Sequence, residues 1–395
     1  MNSSASTYPI IHWSEASEAR SARWRSESGN PPPRRVLIGD DQITADAAYR
    51  LACEGTALLW RGDFQNARQL LQALARRIER KPRKASAASA TAADPALAPS
   101  PSEAFHLHRQ AQSQRARTLA MLLIPLDGDY SIPLRRAPDL RQACAEAYGP
   151  ADSPAPSLVS LRELLGLIGA HEWRKKGVEV PALGARIHPH YGVFAPIRSE
   201  YVDLVAAAPI PATALAFDIG TGTGVLAAVL ARRGIAHIVA TDQDPRALAC
   251  AHENIARLGL AEQVEVIQAG LFPEGRAALV VCNPPWLPAR PSSPLEYAIY
   301  DPDSRMLRGF IDGLAAHLTT DGEGWLLLSD LAEHLGLRTR AELLAAFDAA
   351  GLKVIGRNEA RPHHPRASDP SDPLHIARAA EVTSLWRLAA QSPGR

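Results

Sequence analysis

The sequence has few cysteines, no long apolar run and almost no net charge. Its four cysteines in 395 residues form no Cys-x-x-Cys pair, which argues against a zinc site or a disulfide framework. No apolar run approaches the ~20 residues of a membrane span, and the serine-rich start lacks the apolar core of a signal peptide. The formal charge of +1 argues against a global field for nucleic acid or membranes. We therefore expect a monomer in the cytoplasm, without a metal site or a membrane contact.

Length and composition predict more than one domain. A chain of 395 residues exceeds what one hydrophobic core usually fills, and 46% hydrophobic residues can supply two cores. From about residue 44 the apolar residues recur at helical spacing, and Asp63 is placed to cap a helix that begins at Phe64. The predicted segments are a disordered tail (1–33), a helix-rich domain for substrate recognition (34–150) with a flexible insertion (81–103), a connector (151–185) and a final domain (186–395).

A basic cluster lies next to the predicted insertion. It comprises Arg76, Arg77, Arg80, Lys81, Arg83 and Lys84, with Arg109, Arg115 and Arg117 further along. These cations could follow a phosphate backbone. They are equally compatible with the solvated end of a helix, where positive charge complements the helix dipole. The pattern leaves both interpretations open.

From about residue 186 the pattern alternates between strand and helix, which predicts an α/β fold with a parallel sheet covered on both faces. A helix between the second and third strands should begin at Pro245, with Asp244 as its cap, and end at Gly259. The seven predicted strands cover residues 215–219, 237–241, 264–267, 279–282, 325–329, 353–355 and 382–388.

A glycine-rich turn follows the first of these strands, in the segment Asp218–Gly224. Gly220, Gly222 and Gly224 permit tight curvature, and the helix behind them presents its amino terminus to a ligand. A dinucleotide-binding fingerprint would need a glycine where Val225 stands, and no Gly-Lys-Ser/Thr follows for a phosphate-binding Walker loop. The turn therefore indicates a different ligand.

Two further segments follow later strands of the same sheet. Asp242 ends the second strand, about twenty residues after the turn, where a carboxylate can accept hydrogen bonds from both hydroxyls of a ribose. The sequence Asn283-Pro284-Pro285-Trp286 follows the fourth strand, and alone it would indicate only a rigid turn. With the glycine turn on the same sheet edge, it indicates methyl transfer to a planar nitrogen.

These three segments resemble the class I S-adenosylmethionine-dependent methyltransferases. More narrowly, they are similar to the group that includes glutamine N5-methyltransferases of release factors and ribosomal proteins, and base-amine methyltransferases. The resemblance covers about residues 188–387 and implies a Rossmann-like seven-stranded methyltransferase sheet with S-adenosyl-L-methionine as cofactor. The residues implied to bind the cofactor are Asp218, Gly220, Thr221, Gly222, Gly224, Asp242, Gly270, Leu271 and Asn283. Those implied to be catalytic are Asn283, Pro284 and Trp286.

The chain departs from the family pattern at two places. Many relatives have an aspartate that binds the adenine amine where this chain reads Ala269-Gly270-Leu271. Ala277-Ala278 also replaces the common Phe-Asp before the fourth strand. Backbone groups or a displaced side chain must then bind the adenine.

The resemblance implies how these residues would act on an amide or an aromatic amine. The Asn283 side-chain oxygen and the Pro284 carbonyl would accept the two hydrogens of the nitrogen, and Trp286 would stack on the flat group. We expect an N-methyltransferase that acts on a macromolecule, a ribosomal or translation-factor protein or RNA or DNA, without metal or covalent intermediate. A glutamine amide and a base amine remain open as targets. The alternative is a catalytically weak binding or assembly factor, which Gly270 suggests.

Several polar and aromatic residues flank these motifs. His188 and His190 precede the first strand, and with no third ligand in view we interpret them as structural or lid residues. Tyr297 and Tyr300 are more typical of core positions than of a substrate contact. The polar residues that follow them and could face a substrate are Asp301, Asp303 and Arg305.

Overall fold

The structure is a computed structural model that describes residues 8–79, 99–362 and 369–391. The chain divides into two units. The first comprises Met1–Pro99 and His106–Glu172, and the second comprises Ser100–Phe105 and Trp173–Arg395. The second unit thus begins ahead of the boundary predicted at residue 186, and most of the predicted insertion at 81–103 lies outside the described residues.

A six-stranded mixed sheet forms the centre of the first unit. Its strands are β1 (Ile10–Glu15), β2 (Glu18–Trp24), β3 (Arg35–Gly39), β4 (Thr56–Trp60), β5 (Leu122–Leu126) and β6 (Ser157–Ser160), in the order β1-β2-β6-β5-β4-β3. The helices up to residue 176 are α1 (Ala45–Cys53), α2 (Phe64–Glu79), α3 (Pro101–Leu119), α4 (Arg141–Tyr148) and α5 (Leu161–Lys176). As predicted, α2 begins at Phe64, and Asp63 accepts a hydrogen bond from the backbone of Gln65.

The predicted disordered tail is wrong for the residues that form β1 and β2. These strands pair in an antiparallel hairpin, and β2 continues the sheet by pairing with β6. Ile11 and Trp24 are buried in the apolar core of this sheet. The polar composition of residues 1–33 gave no sign of these two short strands. They are stabilised by β6, which lies far along the chain.

The predictions of a helix-rich domain and of a connector at 151–185 are also corrected. Every residue of β4, β5 and β6 is buried, and β6 and α5 lie inside the predicted connector. Short continuous apolar runs fit a buried strand and a buried helix equally well. Only pairing with neighbouring strands distinguishes the two, and residues 34–150 therefore contain three strands as well as helices.

The second unit contains a seven-stranded sheet. Its strands are β9 (Leu215–Ile219), β10 (His237–Asp242), β11 (Val264–Gln268), β12 (Ala277–Cys282), β13 (Leu318–Ser329), β14 (Leu352–Ala360) and β15 (Thr383–Ala390), preceded by the hairpin of β7 (Val178–Val180) and β8 (Ala185–Ile187). Its helices are α6 (Glu200–Ala207), α7 (Val225–Arg232), α8 (Pro245–Arg257), α9 (Arg305–His317), α10 (Leu331–His334), α11 (Arg340–Ala349) and α12 (His375–Ala380).

The sheet order is β11-β10-β9-β12-β13-β15-β14, with the first five strands parallel and β15 antiparallel to both neighbours. This confirms the prediction of a Rossmann-like α/β fold with seven strands. In the register of the sheet, Ile219 of β9 lies beside Cys282 of β12 on one side and beside Thr241 of β10 on the other. The segments after β9, β10 and β12 therefore leave one edge of the sheet side by side.

Buried apolar residues cover both faces of this sheet. One cluster packs α7 and α6 against Ala216 and Val281, and another packs α9 against Phe217 and Val280. Consecutive strand residues thus contribute to opposite faces. Throughout the part of the chain that the structure describes, we find no helix with the length and apolar character to cross a bilayer.

Candidate active site

The glycine-rich turn connects β9 to α7 in left-handed backbone conformations. Gly222 has a φ of +56° and Gly224 has a φ of +80°. A Cβ added at Gly224 would lie 3.3 Å from the backbone Cα of Ala251, so this position also requires a small residue for helix packing. The turn brings the amino end of α7 to the carboxyl edge of the sheet, as the sequence predicted.

The buried side chain of Asp218 stabilises this turn through hydrogen bonds. Its side chain is 1% exposed and accepts hydrogen bonds from Thr221 Oγ1 at 2.6 Å and from the Ala227 backbone N–H at 3.0 Å. Burial raises the pKa of the Asp218 carboxyl to about 6, although these two hydrogen bonds act to lower it. Asp218 therefore fixes the path of the turn from inside the protein, and its contact with a cofactor stays a prediction.

The raised pKa of Asp218 predicts a pH-dependent stability. Between the usual pKa of 3.8 and about 6, the folded protein retains a proton that the unfolded chain releases, so this carboxyl makes folding less favourable as pH rises. Relative to Asp218→Asn, we expect the wild-type free energy of unfolding to fall by about 3 kcal/mol across that window. Denaturant titrations at several pH values measure it, and parallel pH profiles for the two proteins would contradict it.

Asp242 holds the turn from the neighbouring strand. Its Oδ2 accepts the backbone N–H of Gly222 at 3.0 Å, and its Oδ1 accepts that of Asp244 at 3.0 Å. Burial raises the pKa of the Asp242 carboxyl, and its backbone hydrogen bonds oppose that shift. Asp244 accepts the N–H of Arg246 and is the N-cap of α8, which confirms its predicted role as a cap, while the ribose contact of Asp242 stays a prediction.

The segment Ala269-Gly270-Leu271, which follows β11, provides backbone hydrogen-bonding groups and open space. Thr241 Oγ1 donates to the Leu271 carbonyl at 2.7 Å, and the Ala269 N–H donates to the Asp242 carbonyl at 3.1 Å. A Cβ added at Gly270 would meet no heavy atom within 4 Å. Hydrogen bonds thus connect the segment to the end of β10, and space remains open at Gly270.

The Asn-Pro-Pro-Trp segment begins directly after β12. Pro284 is buried, while Asn283 and Trp286 are partly exposed. The Trp286 indole Nε1–H donates to Asn283 Oδ1 at 2.9 Å. An indole nitrogen can only donate, so this hydrogen bond identifies the oxygen of the Asn283 amide and fixes its direction. The prediction that Trp286 stacks on a substrate did not include this contact.

The sequence-based reasoning missed three charged residues beside this segment. The Arg198 guanidinium lies over the Trp286 ring, with its central carbon 5.1 Å from the ring centroid. Arg198 also donates to Glu200 at 2.6 Å and to Glu381 at 3.0 Å. Arg198 and Glu381 are 183 residues apart in sequence, so no local motif could have indicated the contact.

The flanking residues have mostly structural contacts. His188 Nδ1 lies 2.6 Å from the Arg174 carbonyl, and His190 Nε2 lies 2.7 Å from Glu253, in agreement with their structural interpretation. The buried Asp301 accepts the N–H groups of Met306 and Leu307 at the start of α9. Tyr300 packs in an apolar cluster as expected.

Tyr297 differs from this expectation. It is 67% exposed, so the core assignment is wrong for this residue. The two tyrosines belong to the same short segment, and only the packing of Tyr300 against the apolar cluster around Leu287 distinguishes them. Asp303 and Arg305 lie at the turn into α9, and their contact with a substrate stays a prediction.

Comparison with known proteins relates the second unit to methyltransferases. Residues 208–284 match the family described as ribosomal protein L11 methyltransferase (PrmA). A release factor glutamine methyltransferase of Cereibacter sphaeroides is 40% identical over 173 residues, which cover 40% of this chain and 60% of the relative. A ribosomal protein L11 methyltransferase of Pelotomaculum thermopropionicum is 49% identical over 146 residues, which cover 36% of this chain and 39% of the relative. The chain thus spans 60% or less of the length of these two relatives.

Two solved structures align with about half of the chain. The ribosomal protein L11 methylase of Lactobacillus delbrueckii subsp. bulgaricus has a TM-score of 0.36 and 17% identity, covering 51% of this chain and 82% of that structure. A methyltransferase of Thiobacillus denitrificans in complex with S-adenosyl-L-homocysteine has a TM-score of 0.35 and 20% identity, covering 50% and 92%.

The matched segment contains the functional edge of the sheet. Residues 208–284 include the glycine turn, Asp242 and the start of the Asn-Pro-Pro-Trp segment. The sequence motifs, the relatives and the seven-stranded sheet all indicate a methyltransferase. The second unit is therefore similar to the class I S-adenosylmethionine-dependent methyltransferases in its motifs and in its seven-stranded sheet.

Proposed function

We propose that this protein transfers a methyl group from S-adenosyl-L-methionine to a planar nitrogen of a macromolecule, with a protein glutamine amide as the favoured target. The observation that carries the proposal is the fixed direction of Asn283 Oδ1 at the same sheet edge as the glycine turn and Asp242. A release factor glutamine methyltransferase among the relatives supports the amide as target.

The cofactor would bind across the carboxyl ends of β9, β10 and β11. The glycine turn would let the backbone approach it closely, and the amino end of α7 would face its carboxylate. Asp242 uses one lone pair of each oxygen for backbone N–H groups, which leaves further lone pairs for the ribose hydroxyls. The open position at Gly270 would receive the adenine, whose amine would meet backbone groups.

The acceptor nitrogen of an amide is a poor nucleophile because its lone pair is delocalised. A carbonyl oxygen has two lone pairs, and Trp286 occupies one lone pair of Asn283 Oδ1. The second lone pair, together with the Pro284 carbonyl, would accept the hydrogens of the substrate nitrogen. These acceptors would direct its lone pair toward the methyl sulfonium, and their fixed positions would provide most of the rate enhancement.

The first unit would recognise the macromolecular target. A phosphate-binding role for its basic cluster is less favoured, because Arg77 pairs with Asp46 at 2.7 Å and Arg115 pairs with Glu79. Four further members of the cluster, Arg80, Lys81, Arg83 and Lys84, lie outside the described residues. A ribosomal or translation-factor protein is therefore the proposed partner, and the protein would act in the cytoplasm as a monomer.

The test is methyl transfer into an extract of cells that lack this protein. Purified protein and tritium-labelled S-adenosylmethionine are added, the protein and nucleic-acid fractions are separated, and labelled peptides or nucleosides are identified by mass spectrometry. We expect label on a glutamine amide. Label on a base amine would make the nucleic acid the substrate, and cofactor binding without any transfer would favour a catalytically weak binding factor.

Replacing Asp242 with alanine should weaken cofactor binding. Its removal would leave both ribose hydroxyls without their acceptor and release the Gly222 N–H, a loss of roughly 1–3 kcal/mol. Calorimetry with S-adenosylmethionine measures this. The matched control is Asp244→Ala, which removes the cap of α8 and should lower stability by about 1 kcal/mol without changing affinity. Unchanged affinity in Asp242→Ala would assign the ribose to another residue.

A further inference from the structure

A buried carboxylate pair holds Arg198 in place. Arg198 Nε donates to Glu200 Oε1 at 2.6 Å, and Arg198 Nη2 donates to Glu381 Oε1 at 3.0 Å. The side chains of Glu200 and Glu381 are 5% and 3% exposed. We call these two residues the carboxylate clamp. Because the clamp contacts two different nitrogens of one planar group, it restricts the orientation of the guanidinium plane as well as its position.

Each member of the clamp is fixed by the fold. Glu200 begins α6, and Ser329, the last residue of β13, donates from its hydroxyl to Glu381 Oε1 at 2.6 Å. The same Ser329 oxygen accepts the N–H of Leu331 at 3.0 Å. Burial acts to lower the pKa of Arg198, but Glu381 and Glu200 outweigh it and raise the pKa above its usual value. The guanidinium is thus a permanent positive charge held from two parts of the unit.

The guanidinium lies against the tryptophan of the candidate catalytic segment. Its central carbon is 5.1 Å from the Trp286 ring centroid, within the range of a cation–π contact. The Trp286 N–H in turn donates to Asn283 Oδ1. A continuous series of contacts therefore connects the clamp, Arg198, Trp286 and the oxygen proposed to accept the substrate hydrogen.

We propose that Arg198 is a positioning residue that acts through Trp286. Held by the carboxylate clamp, it covers one face of the indole and keeps the ring where its N–H fixes Asn283 Oδ1. The catalytic use of this arrangement rests on the proposed function, whereas the positioning of the ring does not. The ring face under Arg198 is closed to a substrate, so Trp286 orients Asn283 and does not stack on the substrate from that side.

Lysine cannot replace arginine in this role. An ammonium group is a single point of charge, so it cannot satisfy the clamp at two separate nitrogens while presenting a flat surface to the ring. In Arg198→Lys, Trp286 should therefore gain freedom to rotate, and its N–H should leave Asn283 for part of the time. A misplaced acceptor should then slow methyl transfer roughly 10–100-fold with little change in cofactor affinity.

The direct test is the nuclear magnetic resonance signal of the Trp286 indole N–H. The full chain is labelled with ¹⁵N at its seven tryptophans, and the Trp286 signal is the one missing from Trp286→Phe. We expect this signal to shift in Arg198→Lys and in Asn283→Ala, while the other indole signals report an intact fold. If Arg198→Lys does not fold, Glu200→Gln weakens the clamp more mildly and should shift the same signal.

The chain supplies a matched control in Arg340. Its guanidinium carbon lies 5.3 Å from the Trp386 ring centroid, and its Nε donates to Glu333 at 2.8 Å. Arg340→Lys thus changes the same kind of stacked, paired arginine elsewhere in the unit. It should leave the Trp286 signal and the tritium transfer into the cell extract unchanged.

A double-substitution experiment separates positioning from a general loss of stability. If Arg198 acts through Trp286, Arg198→Lys should slow tritium transfer in the wild-type protein but not further in Trp286→Phe. Equal effects in both backgrounds, or an unmoved Trp286 signal in folded Arg198→Lys, would overturn the proposal. If the signal moves but no methyl acceptor exists in any extract, the positioning of the ring stands and the proposed function fails.

Discussion

Replacing Asn283 with alanine is expected to slow methyl transfer on the order of 10²–10³-fold while leaving the affinity for S-adenosylmethionine nearly unchanged. The substitution removes the one side-chain oxygen that Trp286 holds in a fixed direction at this edge of the sheet. Its proposed partner is the acceptor nitrogen, so the loss should affect the chemical step. Single-turnover measurements of label transfer, combined with calorimetric titration of the cofactor, separate the two effects.

The control for this prediction is Asn283→Asp. A carboxylate accepts hydrogen bonds at the same reach, including the bond from the Trp286 N–H, so this variant should retain part of the activity. Clearly weaker cofactor binding in Asn283→Ala would make cofactor contact the main role of Asn283. If Asn283→Ala retained near-normal turnover while a defect in the glycine turn abolished it, the proposed catalytic role of this segment would be wrong.

Replacing Gly222 with aspartate is expected to abolish cofactor binding, with affinity reduced about 100-fold or more. The Gly222 N–H lies 3.0 Å from Asp242 Oδ2, so the new carboxylate would stand close to an existing one. Two carboxylates on these neighbouring segments would repel each other, and the new charge would also oppose the carboxylate of the cofactor. Calorimetry with S-adenosylmethionine measures the loss, and thermal unfolding verifies that the protein remains folded.

Gly222→Ala distinguishes charge from backbone strain. Gly222 has a φ of +56°, and an added Cβ would meet no heavy atom within 4 Å, so strain is the only expected penalty for alanine. That strain is roughly 1–2 kcal/mol, and aspartate adopts this conformation more readily than alanine does. Aspartate should therefore bind the cofactor far more weakly than alanine. Equal losses would show that conformation, and not charge, controls binding at this turn.

The sequence predicted the fold of the second unit well and that of the first unit poorly. In the second unit, α7 and α8 alternate with strands, and glycines or caps mark their ends, so local signals coincided with the final structure. In the first unit, β1 and β2 are short and lie in a polar stretch. They are stable because β2 pairs with β6, and such a distant pairing cannot be recognised in the local sequence.

The candidate site shows the same division. Gly222, Asp242 and Asn283 could be singled out from the sequence because each lies at or shortly after the end of a strand, and parallel strands end at one edge of the sheet. The same reasoning could not predict the contacts that the side chains make with one another. Trp286 was expected to stack on a substrate, but its N–H contacts Asn283 and one of its faces contacts Arg198.

By itself, the sequence determined the seven strands of the second unit, the tight glycine turn, the cap at Asp244 and the resemblance to methyltransferases. Each of these depends on the conformation of a few adjacent residues or on a short motif. The tertiary structure alone decided the strand order, the sheet of the first unit and the clamp that joins Arg198 to Glu381 across 183 positions. Such contacts form only after the chain has packed, because loop closure and burial of the whole unit determine which distant residues meet.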